Sequence, residues 1–220
     1  MKILAVVPAR GGSKGIKNKN IINLHGKPLI SYTIEVARTI KAFETVLVST
    51  DSEEISKIAV EYGACVLKRP KKLASDRTPM SKVLEHVVAS TDESPDLICL
   101  LQPTSPLRTA HTIRRALQEF MSHISEYDSL MPLRLISGKI GSIKNNRYIP
   151  CYKLGLQRQE MPKLYKECGT IYIYKEPWIK LHEPYGKRIY PFIIDDEKEA
   201  IDIDTIKDLR LAEYFLKERE

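Results

Sequence analysis

The chain has 220 residues, 43% hydrophobic and 29% charged, enough for one large domain at roughly 150 residues per domain and too apolar for a disordered or collagen-like segment. Thirty-five Lys and Arg against 28 Asp and Glu leave +7, which suits a polyanionic ligand such as a nucleotide and equally nucleic acid or an anionic surface. The same composition excludes a disulfide-dominated scaffold, and the four cysteines, Cys65, Cys99, Cys151 and Cys168, lie 34, 52 and 17 residues apart, with no close pair of the kind structural zinc sites use, so reduced, buried thiols are expected.

Residues 3–7 are wholly apolar and predict a first strand; with one charge and a six-residue apolar run, this end is too short for a signal or membrane span, so a cytoplasmic protein is expected. The strand enters a loop with glycines at 11, 12 and 15. After Pro28, a suitable first-turn residue, Ile30, Ile34, Ala37 and Ile40 recur at helical spacing, and a strand is predicted over 46–48. Asp51 with Glu54 resembles a capping pair for the next helix, whose stripe is Ile55, Ile58, Ala59 and Tyr62 and whose end is Gly63. A strand over 64–67, a helix through Val83, Val87 and Val88, a buried strand over 97–101 and a helix over 109–121 follow. This alternation predicts right-handed βαβ units: an α/β fold with a mostly parallel, doubly wound sheet.

From about 129 to 174 the pattern shifts to short β-prone pieces between glycine, asparagine and proline, which predicts an inserted β-hairpin-rich lobe within the one domain. Leu130, Met131, Leu133, Ile136, Leu154, Leu156 and Tyr165 are more apolar surface than such a lobe buries alone, so it is expected to pack on a second subunit. A strand over 188–194 and a helix over 205–216, with Thr205 and Asp208 as a capping box, close the chain.

In an open parallel sheet ligands bind beyond the carboxyl ends of the strands, which makes the loop after the first strand the prime site. It offers the N–H groups of Gly11, Gly12, Ser13 and Gly15, the Ser13 hydroxyl, and cations at Arg10, Lys14, Lys17 and Lys19. Those groups suit a triphosphate, although the spacing of neither a P-loop nor a dinucleotide fingerprint is met, and a solvated basic turn is the simpler alternative. Asp202 and Asp204 alternate with Ile201 and Ile203, so an extended backbone turns both carboxylates to one face. Two such groups suit Mg²⁺ beside phosphate oxygens; the alternative is a surface strand leading into a helix cap. Asp195, Asp196 and Glu197 read as a solvated turn, and the five scattered histidines make no triad or metal set.

Four stretches in order resemble the acylneuraminate cytidylyltransferases, or CMP-sialic acid synthetases. These are Arg10-Gly11-Gly12-Ser13-Lys14-Gly15 with Lys19-Asn20 downstream, Leu73-Ala74-Ser75-Asp76 after Arg69-Pro70, Leu101-Gln102-Pro103-Thr104-Ser105-Pro106-Leu107-Arg108, and Ile201-Asp202-Ile203-Asp204-Thr205. The resemblance implies a Rossmann-like nucleotidyltransferase in which the anomeric hydroxyl of a nine-carbon 2-keto-3-deoxy sugar acid attacks the α-phosphate of CTP and releases pyrophosphate. By the same resemblance Arg10, Ser13, Lys14 and Lys19, with Gly11 and Gly12, hold the triphosphate. Arg10 and Lys14 stabilise its charge, Asn20, Arg69 and Thr78 contact the nucleoside, and Asp202 and Asp204 carry catalytic Mg²⁺. Gln102, Thr104, Arg158, Gln159, Lys166 and Tyr172 are then the sugar-acid contacts, Arg158 pairing with the carboxylate, and the inserted lobe makes a homodimer with shared sites. Lys166 and Cys168 stand where the family often has Arg and Asn, and Met80 where it has a serine near the base. Lys lacks the bidentate fork of Arg and a thiol donates poorly, so different sugar substituents are expected to be read.

Two other readings remain at this point: a nucleotidyltransferase for 2-keto-3-deoxyoctonate or a sugar phosphate, and a nonenzymatic basic module that binds nucleotides or RNA. Against the second, the cations cluster in a glycine loop with no stacking aromatics between them, so no nucleic-acid partner is expected; with the first apolar run far short of a span, no membrane partner is expected either.

Overall fold

A computed structural model describes residues 1–13 and 15–218. Strand β1 (Ile3–Pro8) leads through a short hairpin, β2 (Asn23–Leu24) and β3 (Lys27–Pro28), to α1 (Leu29–Arg38). Then come β4 (Phe43–Thr50), α2 (Glu53–Glu61), β5 (Cys65–Lys68), α3 (Met80–Ala89), β6 (Leu97–Leu100) and α4 (Ala110–Ser122). The second half holds β7 (Ser129–Ile136), the hairpin β8 (Gly141–Lys144) and β9 (Arg147–Pro150), β10 (Leu164–Glu167), β11 (Tyr172–Lys175), α5 (Glu176–Lys180), β12 (Ile189–Ile193) and α6 (Ile206–Lys217).

β1 and β6 are apolar at almost every position because both faces of the sheet are covered. Ala5 and Val7 pack with Ile30, Ile34 and Ala37 of α1, Ile55 of α2 and Phe120 of α4, whereas Leu4 and Val6 pack with Leu84, Val87 and Ile179 of α3 and α5. The strand's period of 2 thus sorts one run of side chains into two cores. β1 lies parallel to β4 and β6, and β4 parallel to β5, as the βαβ pattern predicts. No helix among the described residues is long and apolar enough to cross a membrane.

The strands of the predicted lobe fall elsewhere. β11 runs antiparallel to β6, with Ile173 opposite Cys99, and β7 antiparallel to β11, with Leu130 opposite Ile173. β10 continues along β7, and β12 lies parallel to β7 with Ile189 opposite Ser129. Residues 129–136 and 164–175 therefore extend the main eight-stranded sheet, and Leu130 is fully buried in its core. Within the predicted lobe, the stretch between β7 and β10, an excursion carrying the β8–β9 hairpin, is the part that leaves the main sheet and forms a two-stranded sheet of its own.

Helix starts follow local chemistry. Ser52, not Asp51, caps α2 by accepting the Ile55 N–H at 3.3 Å, and Gly63 just past its end has φ of 81°. Asp51 is free for a different task, described below. The Thr205–Asp208 capping box of α6 forms as its spacing predicts.

Candidate functional site

The carboxyl ends of β1 and β6 open into a cavity of about 420 Å³. Its wall holds Arg10, Ser13, Gly15, Lys19 and Asn20 from the first loop, Arg69 after β5, Met80 at the start of α3, Gln102 and Thr104 after β6, and Asp202 and Asp204 before α6. Residues scattered over most of the chain converge here because parallel strands deliver their exit loops to one edge.

Several of these side chains are held before any ligand arrives. Asn20 is buried and donates Nδ2 to the Arg10 carbonyl at 3.0 Å, fixing the exit of β1. The Arg10 guanidinium pairs with Asp76. Arg69 is buried, donating Nη2 to the Ser49 carbonyl at 2.7 Å and Nε to the Ser49 hydroxyl at 3.1 Å. Burial pulls its pKa down to about 10, with Asp51 opposing and Arg10 adding to the fall, so it remains a cation at neutral pH. Lys19 donates Nζ to Asp204 Oδ1 at 2.9 Å.

Asp202 and Asp204 behave differently. Ile203 between them is fully buried, and its N–H donates to the Thr104 carbonyl at 2.8 Å, tying the acidic stretch to the loop after β6. The stretch forms no ladder strand, yet the alternation holds: both carboxylates line the same cavity while Ile203 packs inward. Asp204 is exposed, whereas Asp202 Oδ1 is buried with no hydrogen-bond partner among the described residues. An orphaned buried carboxylate oxygen beside a basic wall is a ready ligand for a hard cation.

Other sequence-predicted residues fall outside this cavity. The Gly11 N–H donates to Asp51 Oδ1 at 2.9 Å, so it anchors the loop instead of facing a phosphate. Gly12 is exposed and does not line the cavity. Lys14 lies outside the described residues. Thr78 does not line the cavity; its hydroxyl bonds that of Ser75 at 2.8 Å, in the turn that brings Asp76 to Arg10. Lys166 lines a second, adjoining cavity of about 830 Å³ with Arg134, Cys168 and the run from Asp195 to Lys198, and Asp202 and Asp204 form part of its wall as well. Tyr172 turns into the core and donates its hydroxyl to Glu167 at 2.7 Å, and burial raises its pKa well above the usual phenol value. Arg158 and Gln159 are exposed on a short 3₁₀ turn of the excursion and line neither cavity.

Asp76, Arg108 and Glu199 have tasks in the structure that their sequence positions do not announce. Arg108 is 3% exposed, with its guanidinium on the carbonyls of Gln102 and Thr170. Glu199 is buried and accepts the N–H and hydroxyl of Thr109, the N-cap of α4. The available signal was a charged residue directly following a buried strand and a proline-rich turn.

Comparison with known proteins identifies the family. A family model described as Cytidylyltransferase matches residues 4–219. The CMP-N,N'-diacetyllegionaminic acid synthase of Legionella pneumophila is 35% identical over 99% of this chain and 97% of its own. The post-translational flagellin modification protein B of Campylobacter coli is 32% identical over 99% and 96% respectively. The N-acylneuraminate cytidylyltransferase of Escherichia coli is 33% identical over 96% of this chain, which spans 51% of that protein's length. Among solved structures, CMP:2-keto-3-deoxy-manno-octonic acid synthetase complexed with CTP shares the fold with a TM-score of 0.78 at 18% identity, covering 100% of both chains. With nearly the whole sequence matched, and with the strand exits converging as described, the chain belongs to the cytidylyltransferase family.

Proposed function

We propose that this cytidylyltransferase joins CTP to the anomeric hydroxyl of a nine-carbon 2-keto-3-deoxy sugar acid, giving a CMP-sugar and pyrophosphate. The observation that carries the reading is the single cavity in which Arg10, Ser13, Lys19 and Arg69 stand with Asp202 and Asp204. The acceptor class rests on relatives named for N-acylneuraminate, diacetyllegionaminic acid and pseudaminic acid. In the transfer the acceptor oxygen bonds to the α-phosphorus as the bond to the β-bridging oxygen breaks. Pyrophosphate leaves with that electron pair, and the hydroxyl proton passes to water.

Negative charge grows on the departing pyrophosphate, so the protein's task is to place the triphosphate and neutralise it. Arg10, Ser13 and Lys19 would hold that end, and Lys14 joins them by resemblance. Lys19 is paired with Asp204 in the free chain, and a bound phosphate would compete for it. Asn20 and Arg69 would border the nucleoside. Asp202 and Asp204 fit Mg²⁺, since two carboxylates supplemented by phosphate oxygens and water are a usual donor set. When bound, the ion would supply further charge neutralisation on the phosphates. Gln102 and Thr104, with Lys166 across the larger cavity, would hold the sugar acid.

A homodimer completes the proposal. Residues 137–166 carry seven Lys and Arg against one Glu, almost the whole of the chain's +7. The excursion also leaves Ile143 78% and Leu154 70% exposed. The larger cavity is walled by Asp195, Asp196, Glu197 and Asp208, a complementary acidic surface on which the partner's excursion could seat Arg158 and Gln159. A cytoplasmic setting fits a CTP-dependent reaction. Pyrophosphate release tests the reading: it is expected from CTP with nine-carbon sugar acids, and release only with 2-keto-3-deoxyoctonate or with sugar phosphates would overturn it.

A further inference from the structure

We propose that Arg108 is a positioning residue for the acceptor half of the cavity, clamping the loop after β6 to the break between β10 and β11. This rests on the reaction proposed above. Its guanidinium donates Nη2 to the Gln102 carbonyl at 2.8 Å, Nε to the Thr170 carbonyl and Nη1 to the Thr33 hydroxyl at 3.3 Å. Its hydrogen-bond partners among the described residues are thus carbonyl and hydroxyl oxygens. A cation buried in that way costs desolvation energy that an apolar side chain of similar volume would not. In return, the planar fork fixes two carbonyls at set angles to each other, which a Lys ammonium cannot do.

The two segments so joined carry groups that face the acceptor side. Gln102 lines the smaller cavity and Cys168 the larger. They meet at Gly169, where a Cβ would lie 2.5 Å from Gln102 Oε1, 3.1 Å from Ser105 Oγ and 3.3 Å from Asp202 Oδ2. The clamp continues from there. The Thr170 hydroxyl donates to the Glu199 carbonyl at 3.1 Å, and the Glu199 carboxylate accepts from Thr109, next to Arg108. Ile203 N–H closes the ring on the Thr104 carbonyl. Three strand exits are therefore sewn into one buried polar network, and a slip of any one moves Gln102 relative to Asp202. The opposite, nucleotide-facing wall is held by other contacts, Asn20 to Arg10 and Arg69 to Ser49.

This division gives a test that a merely structural role would not pass. Arg108→Lys and Arg108→Met, verified as folded by circular dichroism, are assayed with CTP and the sugar acid that the wild type turns over fastest. CTP affinity is measured separately by calorimetry. The expected result is a loss of about 10²-fold in kcat/KM for the sugar acid, the scale of an ångström-sized misplacement, with the CTP Kd within about twofold of wild type. Arg108→Lys should fail to rescue, because charge without the fork does not set the angle. Thr33 lines neither cavity, but Thr33→Val removes the Nη1 acceptor together with the Thr33 hydroxyl's own 3.5 Å bond to the Gln102 carbonyl, so it loosens the same clamp and should raise the sugar-acid KM several-fold with CTP binding unchanged; if the Arg108 variants do not fold, an unchanged KM in this variant would overturn the proposal. Parallel losses for both ligands, or full sugar-acid kinetics with only a lower melting temperature, would also overturn it. A wild-type protein that releases no pyrophosphate from CTP would instead overturn the reaction on which it rests.

Discussion

Asp202 and Asp204 are two residues apart and differ in what holds them. Asp204 already has a cation in Lys19, whereas Asp202 keeps a buried oxygen without a partner among the described residues. Leaving such an oxygen unmet is costly in a folded chain unless a ligand later meets it. Asp202→Asn keeps the shape and removes the charge, so turnover should fall by about 10²-fold or more while the melting temperature changes little. Near-normal turnover with an unchanged Mg²⁺ requirement would make Asp202 structural. The alternation Ile-Asp-Ile-Asp was enough to anticipate the shared face, because period 2 is a property of extended backbone whether or not a neighbouring strand is present. What spacing could not supply is the difference between the two acids, which arises from Lys19, 185 residues away. The same holds for Gly11: its position in a glycine loop says nothing of Asp51, which takes its N–H.

Among the elements, those legible in the sequence were the ones whose own pattern fixes them. β1 and β6 are fully apolar because both faces are covered, and α1 and α4 show one buried stripe each. β7, β10 and β11 also read as β-prone, but a strand returning antiparallel to a parallel sheet has the same local pattern as a strand in a separate hairpin lobe. Their assignment depends on long-range pairs such as Ile173 with Cys99. One such long-range device can be tested through pH. Asp128, just before β7, accepts the N–H groups of Lys187 and Arg188 at 2.9 Å each and so sets β12 beside β7. Burial pushes its carboxyl upward, yet these N–H groups and the Arg188 charge outweigh it and hold the pKa below the usual 3.8. A lowered folded-state value stabilises above the unfolded pKa and is lost as pH falls through the folded one. Asp128→Ala should therefore cost about 1.5–3 kcal/mol at pH 7, the range for hydrogen bonds to a charged group. The gap in melting temperature from wild type should narrow below pH 3.8; a gap independent of pH would show that packing, not charge, is what Asp128 provides.

For the molecule as a whole, composition gives the +7 but not its location, which is mostly the excursion between β7 and β10, with six Lys and Arg against one Glu. The same stretch explains why the sequence-predicted contacts Arg158 and Gln159 are absent from both cavities of a single chain: the excursion carries them away from the sheet edge. If it covers the acidic wall of a second copy, light scattering at micromolar concentration should report a dimer, and Ile143→Asp with Leu154→Asp should yield monomers of greatly reduced turnover. A fully active wild-type monomer would contradict the shared-site account. The convergence of residues was legible in the sequence, since Arg10, Ser13, Lys19, Asn20, Arg69, Gln102, Thr104, Asp202 and Asp204 line one cavity; the roles proposed for them rest on the tests described. The most direct test of the central claim is the mass of the product formed from CTP, Mg²⁺ and a panel of nine-carbon 2-keto-3-deoxy sugar acids. The account predicts one equivalent of pyrophosphate per molecule of sugar acid bearing CMP at its anomeric oxygen, with ATP a poor substitute. Absence of a CMP-linked acid across the panel, or equal use of ATP, would contradict it.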